Sequence, residues 1–334
     1  MRLLVATDAW RPQINGVVRS LEAMAAQAPA FGVEMSILSP EEFRSFPMPT
    51  YGEIRLSLAR PGHVAKRLRD LAPTHVHIAT EGPIGLATRQ ACRRQGRAFT
   101  TSYHTRFPEY LSARLPVPER LTYRALRRFH SAARATLVST PSLERELQGH
   151  GFGNLLRWTR GVDISLFRPR GVGGFDDPKP IFLYVGRVSV EKNIEAFLSL
   201  DLPGTKVVVG DGPARGDLQS RYPQARFLGA LAGEDLAEVY AAADVFVFPS
   251  LTDTFGIVLL EALASGLPVA AYPVTGPLDV VEGSGCGVLA WDLRQAALGA
   301  LQIPRDRCRR YGETFTWRES ARQFFGHIES AQAD

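Results

Sequence analysis

Three cysteines in 334 residues, Cys92, Cys286 and Cys308, stand far apart and never in a Cys-x-x-Cys spacing. That scarcity argues against a disulfide framework and a zinc site, and it fits a reducing cytoplasm. Long apolar runs are missing as well: no segment approaches the ~18 uninterrupted apolar residues of a membrane span. The opening Met-Arg-Leu-Leu-Val-Ala-Thr-Asp is too short an apolar run for a signal peptide, and Asp8 interrupts it. No internal repeat or low-complexity tract stands out. The expectation is a soluble or membrane-peripheral protein.

Acidic residues are scarce in one half only. Residues 1–165 hold 23 Lys/Arg against 13 Asp/Glu, whereas residues 166–334 hold 16 against 21. The basic excess of the whole chain therefore belongs to the N-terminal half and points to an anionic surface or ligand there. Its strongest local form is residues 119–134, which read as a helix. Arg120, Arg124, Arg127 and Arg128 share one face, with Leu121, Ala125, Leu126 and Phe129 as the apolar surface. A basic amphipathic helix can lie on an anionic bilayer, and it can equally be a solvated face over a buried one. Nucleic acid is not expected, because no aromatic-and-basic binding module is present.

The length suggests two domains, and a composition of 45% hydrophobic and 22% charged residues is ordinary for a soluble protein. Strand-like apolar runs recur between helical segments at 3–7, 33–38, 75–78, 98–102 and 136–139. A Gly- and Pro-rich break at 167–178 reads as an interdomain linker. The rhythm then restarts at 181–185, 206–209, 225–228, 245–248, 269–271 and 287–290. This alternation predicts an α/β protein of two doubly wound parallel sheets, with a ligand cleft at their carboxyl ends. Neither first strand is followed by Gly-x-Gly-x-x-Gly, so a dinucleotide oxidoreductase is set aside.

Residues 249–268 carry the most chemistry. Asp253 and Glu261 flank Phe255-Gly256, and a helix starting near Phe255 puts Asp253 in the preceding loop and Glu261 about two turns in. Free amides at such a helix start favour an anion, here a phosphate. The loop Gly186-Arg187 to Glu191-Lys192 adds two cations that can take phosphate oxygens as a nucleoside diphosphate departs. Asn15-Gly16-Val17 follows the first strand, where a glycine lets backbone approach a ligand. His104 leaves the strand at 98–102 on the expected ligand side. Each also has a plain structural reading: an N-cap at Asp253, a Glu191–Lys192 ion pair, a tight turn at Gly16 and a hydrogen-bonded histidine at His104.

Together these pieces resemble the retaining family-four glycosyltransferases of GT-B fold, over nearly the whole chain. The resemblance is carried by Asn15-Gly16-Val17, Ser102-Tyr103-His104-Thr105, Gly161-Val162-Asp163, the 186–192 loop, Gly210-Asp211-Gly212-Pro213, Phe248-Pro249-Ser250 and the 253–261 segment. The opening 7–19 and Ala79-Thr80-Glu81-Gly82-Pro83 look like the branch with glycolipid synthases and α-mannosyltransferases. The family usually carries Glu where this chain has Asp253, so the sugar's seat differs by one methylene.

The resemblance implies two Rossmann-like domains, 1–168 on the acceptor side and 169–314 on the nucleotide-sugar side, with a C-terminal helix in 315–334 returning to the first. Arg187 and Lys192 would hold the diphosphate, backed by Gly16, and Glu261 would bind the ribose. The backbone around Leu228 and Leu231 would frame the base. Asp253, Phe255, Gly256 and His104 would face the transferred sugar. The implied reaction moves a hexose or hexuronic acid from a UDP- or GDP-sugar to a diacylglycerol- or ceramide-type lipid on the cytoplasmic membrane face. The anomeric configuration is retained, and no metal or cofactor is expected. Two alternatives stay open: a GDP-mannose-dependent α-mannosyltransferase with a soluble or polysaccharide acceptor, and a non-catalytic nucleotide-sugar-binding protein.

Overall fold

The computed structural model describes residues 1–13, 15–48, 51–104, 108, 118–171 and 177–331, with backbone alone at 47–48 and 51–55. Thr105 of the 102–105 motif and residues 172–176 of the expected linker lie outside the described residues. The chain divides into two compact units, one formed by Met1–Arg160 with Trp317–Asp334 and the other by Gly161–Thr316.

The first unit contains β1 (Arg2–Ala6), β2 (Glu34–Leu38), β3 (Ser45–Met48), β4 (Tyr51–Ser57), β5 (His75–Ile78), β6 (Thr100–Ser102), β7 (Thr136–Val138) and β8 (Leu155–Arg157). Six of these form a parallel sheet in the order β2-β1-β5-β6-β7-β8, and β3 and β4 form a separate antiparallel hairpin. Its helices are α1 (Gly16–Gln27), α2 (Pro61–Leu71), α3 (Pro83–Arg94), α4 (Glu119–His130) and α5 (Pro141–Gly149). Proline opens α2, α3 and α5, where its missing N–H has no intrahelical partner to lose. Strand periodicity sorts β1 between two cores. Leu4 and Ala6 pack with Leu68 and Ile84 on one face; Leu3 and Val5 pack with Leu21 and Met24 on the other. Both faces are apolar because a parallel sheet with helices on each side is buried throughout.

The second unit repeats the plan with β9 (Ile181–Val185), β10 (Thr205–Val209), β11 (Arg226–Gly229), β12 (Val245–Phe248), β13 (Val269–Ala271) and β14 (Gly287–Leu289), in the order β11-β10-β9-β12-β13-β14. Its helices are α6 (Ile194–Leu198), α7 (Arg215–Arg221), α8 (Gly233–Ala242), α9 (Ile257–Ala264), α10 (Pro277–Val280), α11 (Leu293–Ala300) and α12 (Arg305–Gly312). The final helix, α13 (Trp317–Ser330), belongs to the first unit, where the Phe324 ring lies tilted 4.5 Å from Trp158 and Phe325 lies 5.6 Å from Phe31.

Three expectations need correction. Residues 161–168, assigned to the first domain, pack in the second. Val162 and Phe167 are buried in its core, and Arg309 donates to the carbonyls of Ile164 and Phe167. The sequence puts the boundary late because the Gly- and Pro-rich run that reads as a linker begins only at Phe167. Second, α9 begins at Ile257, not Phe255. Its N-cap Gly256 has φ +81, a left-handed backbone that ends the preceding loop, so Glu261 sits about one turn in. Third, α4 stops at His130 and buries Tyr123, Leu126, Phe129 and His130, while Leu121 and Ala125 are exposed among the arginines.

Candidate functional site

In the second sheet the strand order reverses between β9 and β12, and the loops leaving these two strands meet at their carboxyl ends. Such a switch point is where open α/β sheets take ligands. The 186–193 loop brings Arg187 and Lys192; the 249–256 loop brings Asp253. They are joined by an ion pair, Lys192 Nζ to Asp253 Oδ1 at 2.5 Å, with both side chains about one-fifth exposed. A second tie runs from Asn193 Nδ2 to Pro249 O at 3.2 Å. Lys192 therefore bonds a carboxylate from another strand end, 61 residues on. Tyr184 fixes the root of the loop by donating to Arg187 O at 2.9 Å. Burial pushes its phenol well above the usual range, helped by the charges of Asp253 and Glu191. Ser189 Oγ, Ser250 Oγ, Thr252 Oγ1 and Asp253 Oδ2 are buried in these loops without a hydrogen-bond partner among the described residues. Buried polar atoms are normally satisfied, so four on two touching loops make this the candidate site for a polar ligand.

Gly256 opens α9 with no side chain to give, and a Cβ there would come within 3.2 Å of Phe248 and Leu259. Glu261 is buried, and Tyr240 on α8 donates to its Oε2 at 3.0 Å. Leu228, in edge strand β11, and Leu231 beyond it are half-buried against the same core. Gly210 and Gly212 link these loops: Gly210 N donates to Gly229 O at 2.7 Å, and a Cβ on Gly210 would lie 1.8 Å from Gly186 O. The strand ends that carry Leu228, Arg187 and Asp253 are thereby held as one rim.

His104 and Gly16 belong to the first unit. Asn15 is the N-cap of α1, its Oδ1 accepting from the amides of Val17 and Val18 at 3.0 Å each, so Gly16 is the first residue of a capped helix. Here the sheet reverses between β1 and β5, and the loops leaving those strands are tied together. The Asp8 carboxylate accepts from Ile84 N at 2.8 Å, Gly85 N at 3.3 Å and Thr80 Oγ1 at 2.8 Å. Burial raises its pKa against these bonds. A Cβ on Gly82 would sit 2.5 Å from the Asp8 carboxyl carbon, so a larger residue would displace this carboxylate. His104, after β6, accepts through Nδ1 from Arg160 Nη2 at 3.1 Å. A guanidinium only donates, so the His104 proton is on Nε2. Burial, then the charge of Arg160, holds His104 well below its usual pKa and therefore neutral at pH 7.

The structure thus brings Lys192 and Asp253 into contact, places Arg187 in the same loop and buries Glu261 behind them. The motifs Asp8 and Thr80-Glu81-Gly82, legible only as a signature, are mutual partners. Sequence reasoning missed Tyr240 and Arg160, since neither sits in a motif and each acts on a residue distant in sequence. Arg120, Arg124, Arg127 and Arg128 are all exposed on α4. No helix among the described residues is long and apolar enough to cross a membrane.

Two family models cover most of the chain: "Glycosyltransferase Family 4" over residues 14–166 and "Glycosyl transferases group 1" over residues 179–303. With two doubly wound parallel units, they define a glycosyltransferase. Among similar proteins, a GDP-mannose-dependent alpha-mannosyltransferase of Mycobacterium tuberculosis is 31% identical over 86% of this chain and 83% of its own length. The sulfoquinovosyl transferase SQD2 of Arabidopsis thaliana is 33% identical over 72% of this chain and 52% of its own. The alpha-monoglucosyldiacylglycerol synthase of Streptococcus pneumoniae is 24% identical over 90% and 78%. Two solved structures share the fold: the sucrose-phosphate synthase of Thermosynechococcus elongatus (TM-score 0.81, 18% identity, 99% of each chain) and Anabaena Alr3699/HepE in complex with UDP-glucose (0.75, 16%, 99% and 100%). The chain belongs to the family-4 glycosyltransferases of GT-B fold, in the branch that holds α-mannosyltransferases and glycolipid synthases.

Proposed function

We propose that this protein is a retaining, metal-independent transferase moving a hexose or hexuronic acid from a UDP- or GDP-sugar to a diacylglycerol- or ceramide-type lipid, at the cytoplasmic face of a membrane. The observation that carries the reading is the second unit's switch point. Arg187, Lys192 and Asp253 share the strand ends there, and the helix beyond starts on a bare glycine. Two cations and open helix amides suit a leaving nucleoside diphosphate, whose charge grows as the glycosidic bond breaks. In this reading Arg187 and Lys192 hold the diphosphate, backed by Gly16, and Glu261 takes the ribose hydroxyls. Asp253, His104 and the backbone of Phe255 and Gly256 hold the sugar, while the backbone at Leu228 and Leu231 frames the base. Donor binding exchanges the Lys192–Asp253 pair for a phosphate contact on one side and a sugar contact on the other. Because Nε2 of the neutral His104 carries its proton, that group donates a hydrogen bond.

The donor class is supported by the nucleotide sugars in the names of the similar proteins. The lipid acceptor is supported by the diacylglycerol synthase among them and by the exposed α4 arginines with Leu121. A GDP-mannose donor with a soluble or polysaccharide acceptor is the second reading, favoured by the mycobacterial relative. The test is a screen of UDP- and GDP-sugars with anionic liposomes carrying diacylglycerol or ceramide, following nucleotide release and lipid product together. A new glycolipid with the donor's anomeric configuration, formed undiminished in EDTA, supports the proposal. Transfer to a soluble glycan alone supports the second reading, and binding without transfer supports a non-catalytic protein.

A further inference from the structure

We propose that Arg160 is an oxyanion-binding residue for the nucleotide-sugar donor, an assignment that rests on the glycosyltransferase reading above. Arg160 is 4% exposed. Buried charges in folded proteins are ordinarily paired, and an arginine cannot escape by losing its proton at neutral pH. Yet its hydrogen-bond partners among the described residues are neutral. Nη1 donates to Trp158 O at 2.7 Å and to Thr159 O at 3.5 Å, and Nη2 donates to His104 Nδ1 at 3.1 Å. The plane lies 4.0 Å over the Trp158 ring. No carboxylate among the described residues pairs with it. Carbonyl dipoles and a ring face orient the cation without cancelling its charge, and burial alone drags its pKa down to about 9.

The location fits a substrate contact. Arg160 follows β8 and His104 follows β6, so both stand at carboxyl ends of strands in a parallel sheet. The chemistry recognised is an oxygen anion: a phosphate of the donor, or a carboxylate or sulfonate on an acidic sugar.

The experiment is calorimetric titration of UDP, GDP and the matched pair UDP-glucose and UDP-glucuronate into the wild type, Arg160→Met and Arg160→Lys, with thermal unfolding of each. Methionine keeps the packing over Trp158 and deletes the charge. A loss of about 10- to 100-fold for every nucleotide in Arg160→Met places the phosphate there. A loss for UDP-glucuronate alone places the sugar carboxylate there. Either supports the proposal, with Arg160→Lys retaining most of the affinity. The unliganded Arg160→Met chain should melt no lower than the wild type, because the unpaired charge is gone, and gain less from ligand. A lower melting temperature with all four affinities unchanged would mean a structural arginine and overturn the proposal. Failure of the wild type to bind any nucleotide overturns the glycosyltransferase reading first, and this assignment with it.

Discussion

Helices α3 and α9 hold the same topological place, each following the strand next to its unit's switch point, and they begin differently. The first amides of α3 are taken by the protein's own carboxylate, Asp8, reached from 76 residues away. Helix α9 is capped by Gly256, beside a Lys–Asp pair and several hydroxyls without a partner among the described residues. One sheet uses its anion site for its own structure; in the proposed reading the other keeps its site for the donor. The units differ in titratable groups too. All seven histidines, at 63, 75, 77, 104, 130, 150 and 327, belong to the first unit, and the second has none. The first unit thus places buried imidazoles among hydroxyls, such as His77 between Thr100 and Ser102 at 2.9 Å each. The second works with fixed charge.

The largest expected effect separates the units by acid. Burial lowers the His77 pKa from 6.5 to about 3. Its folded pKa lies below the unfolded one, so the unfolded chain binds more protons as the pH falls. The contribution is whole above pH 6.5 and is lost progressively below it, up to about 5 kcal/mol near pH 3. Hydrogen exchange between pH 7 and 4 should show the first unit losing protection before the second, and His77→Gln should narrow the gap. Equal losses in both units would break the comparison. Next in size is the charged pair. Asp253→Asn should lower turnover by about 10²–10³-fold while nucleotide affinity, followed by titration calorimetry, holds. Unchanged turnover would remove Asp253 from the reaction.

The strands were legible because short apolar runs such as Ile181–Val185 and Val245–Phe248 are buried on both faces and bounded by turn residues. Hairpin β3–β4 was not, because Pro47 and the polar positions between Phe46 and Leu56 break the alternation. Chemistry-bearing residue types could be read at 187, 192, 253 and 261, but not who holds whom. The bond from Lys192 to Asp253 spans 61 residues, from Asp8 to Thr80 72, and from Arg160 to His104 56. Local sequence carries no trace of such pairings; the sheet order creates them. The domain boundary failed for a related reason. Phe167 is an isolated aromatic in a loop, and contacts distant in sequence, its T-shaped packing on Tyr240 5.5 Å away and the Arg309 bonds to the Ile164 and Phe167 carbonyls, commit the segment to the second unit.

Two smaller perturbations sharpen the contrast between the helix starts. Asp8→Ala deletes the internal anion of α3 and should cost about 1–2 kcal/mol of stability with donor affinity unchanged, checked by urea unfolding and calorimetry. Tyr240→Phe acts on the other side. It keeps the ring against Phe167 and Phe246 and removes the phenol's bond to Glu261 Oε2 at 3.0 Å, with a longer one to Val258 O at 3.5 Å. A single hydrogen bond to a charged group held behind the ligand corresponds to about 1–1.5 kcal/mol, or roughly a tenfold rise in donor KM with kcat unchanged. If Glu261 binds the ribose, the penalty must vanish with a 2′,3′-dideoxy donor, which has no hydroxyl for the carboxylate to meet. A penalty that persists with that donor means Tyr240 acts through packing, and Glu261 is then a structural acid whose place at the rim has nothing to do with the nucleotide.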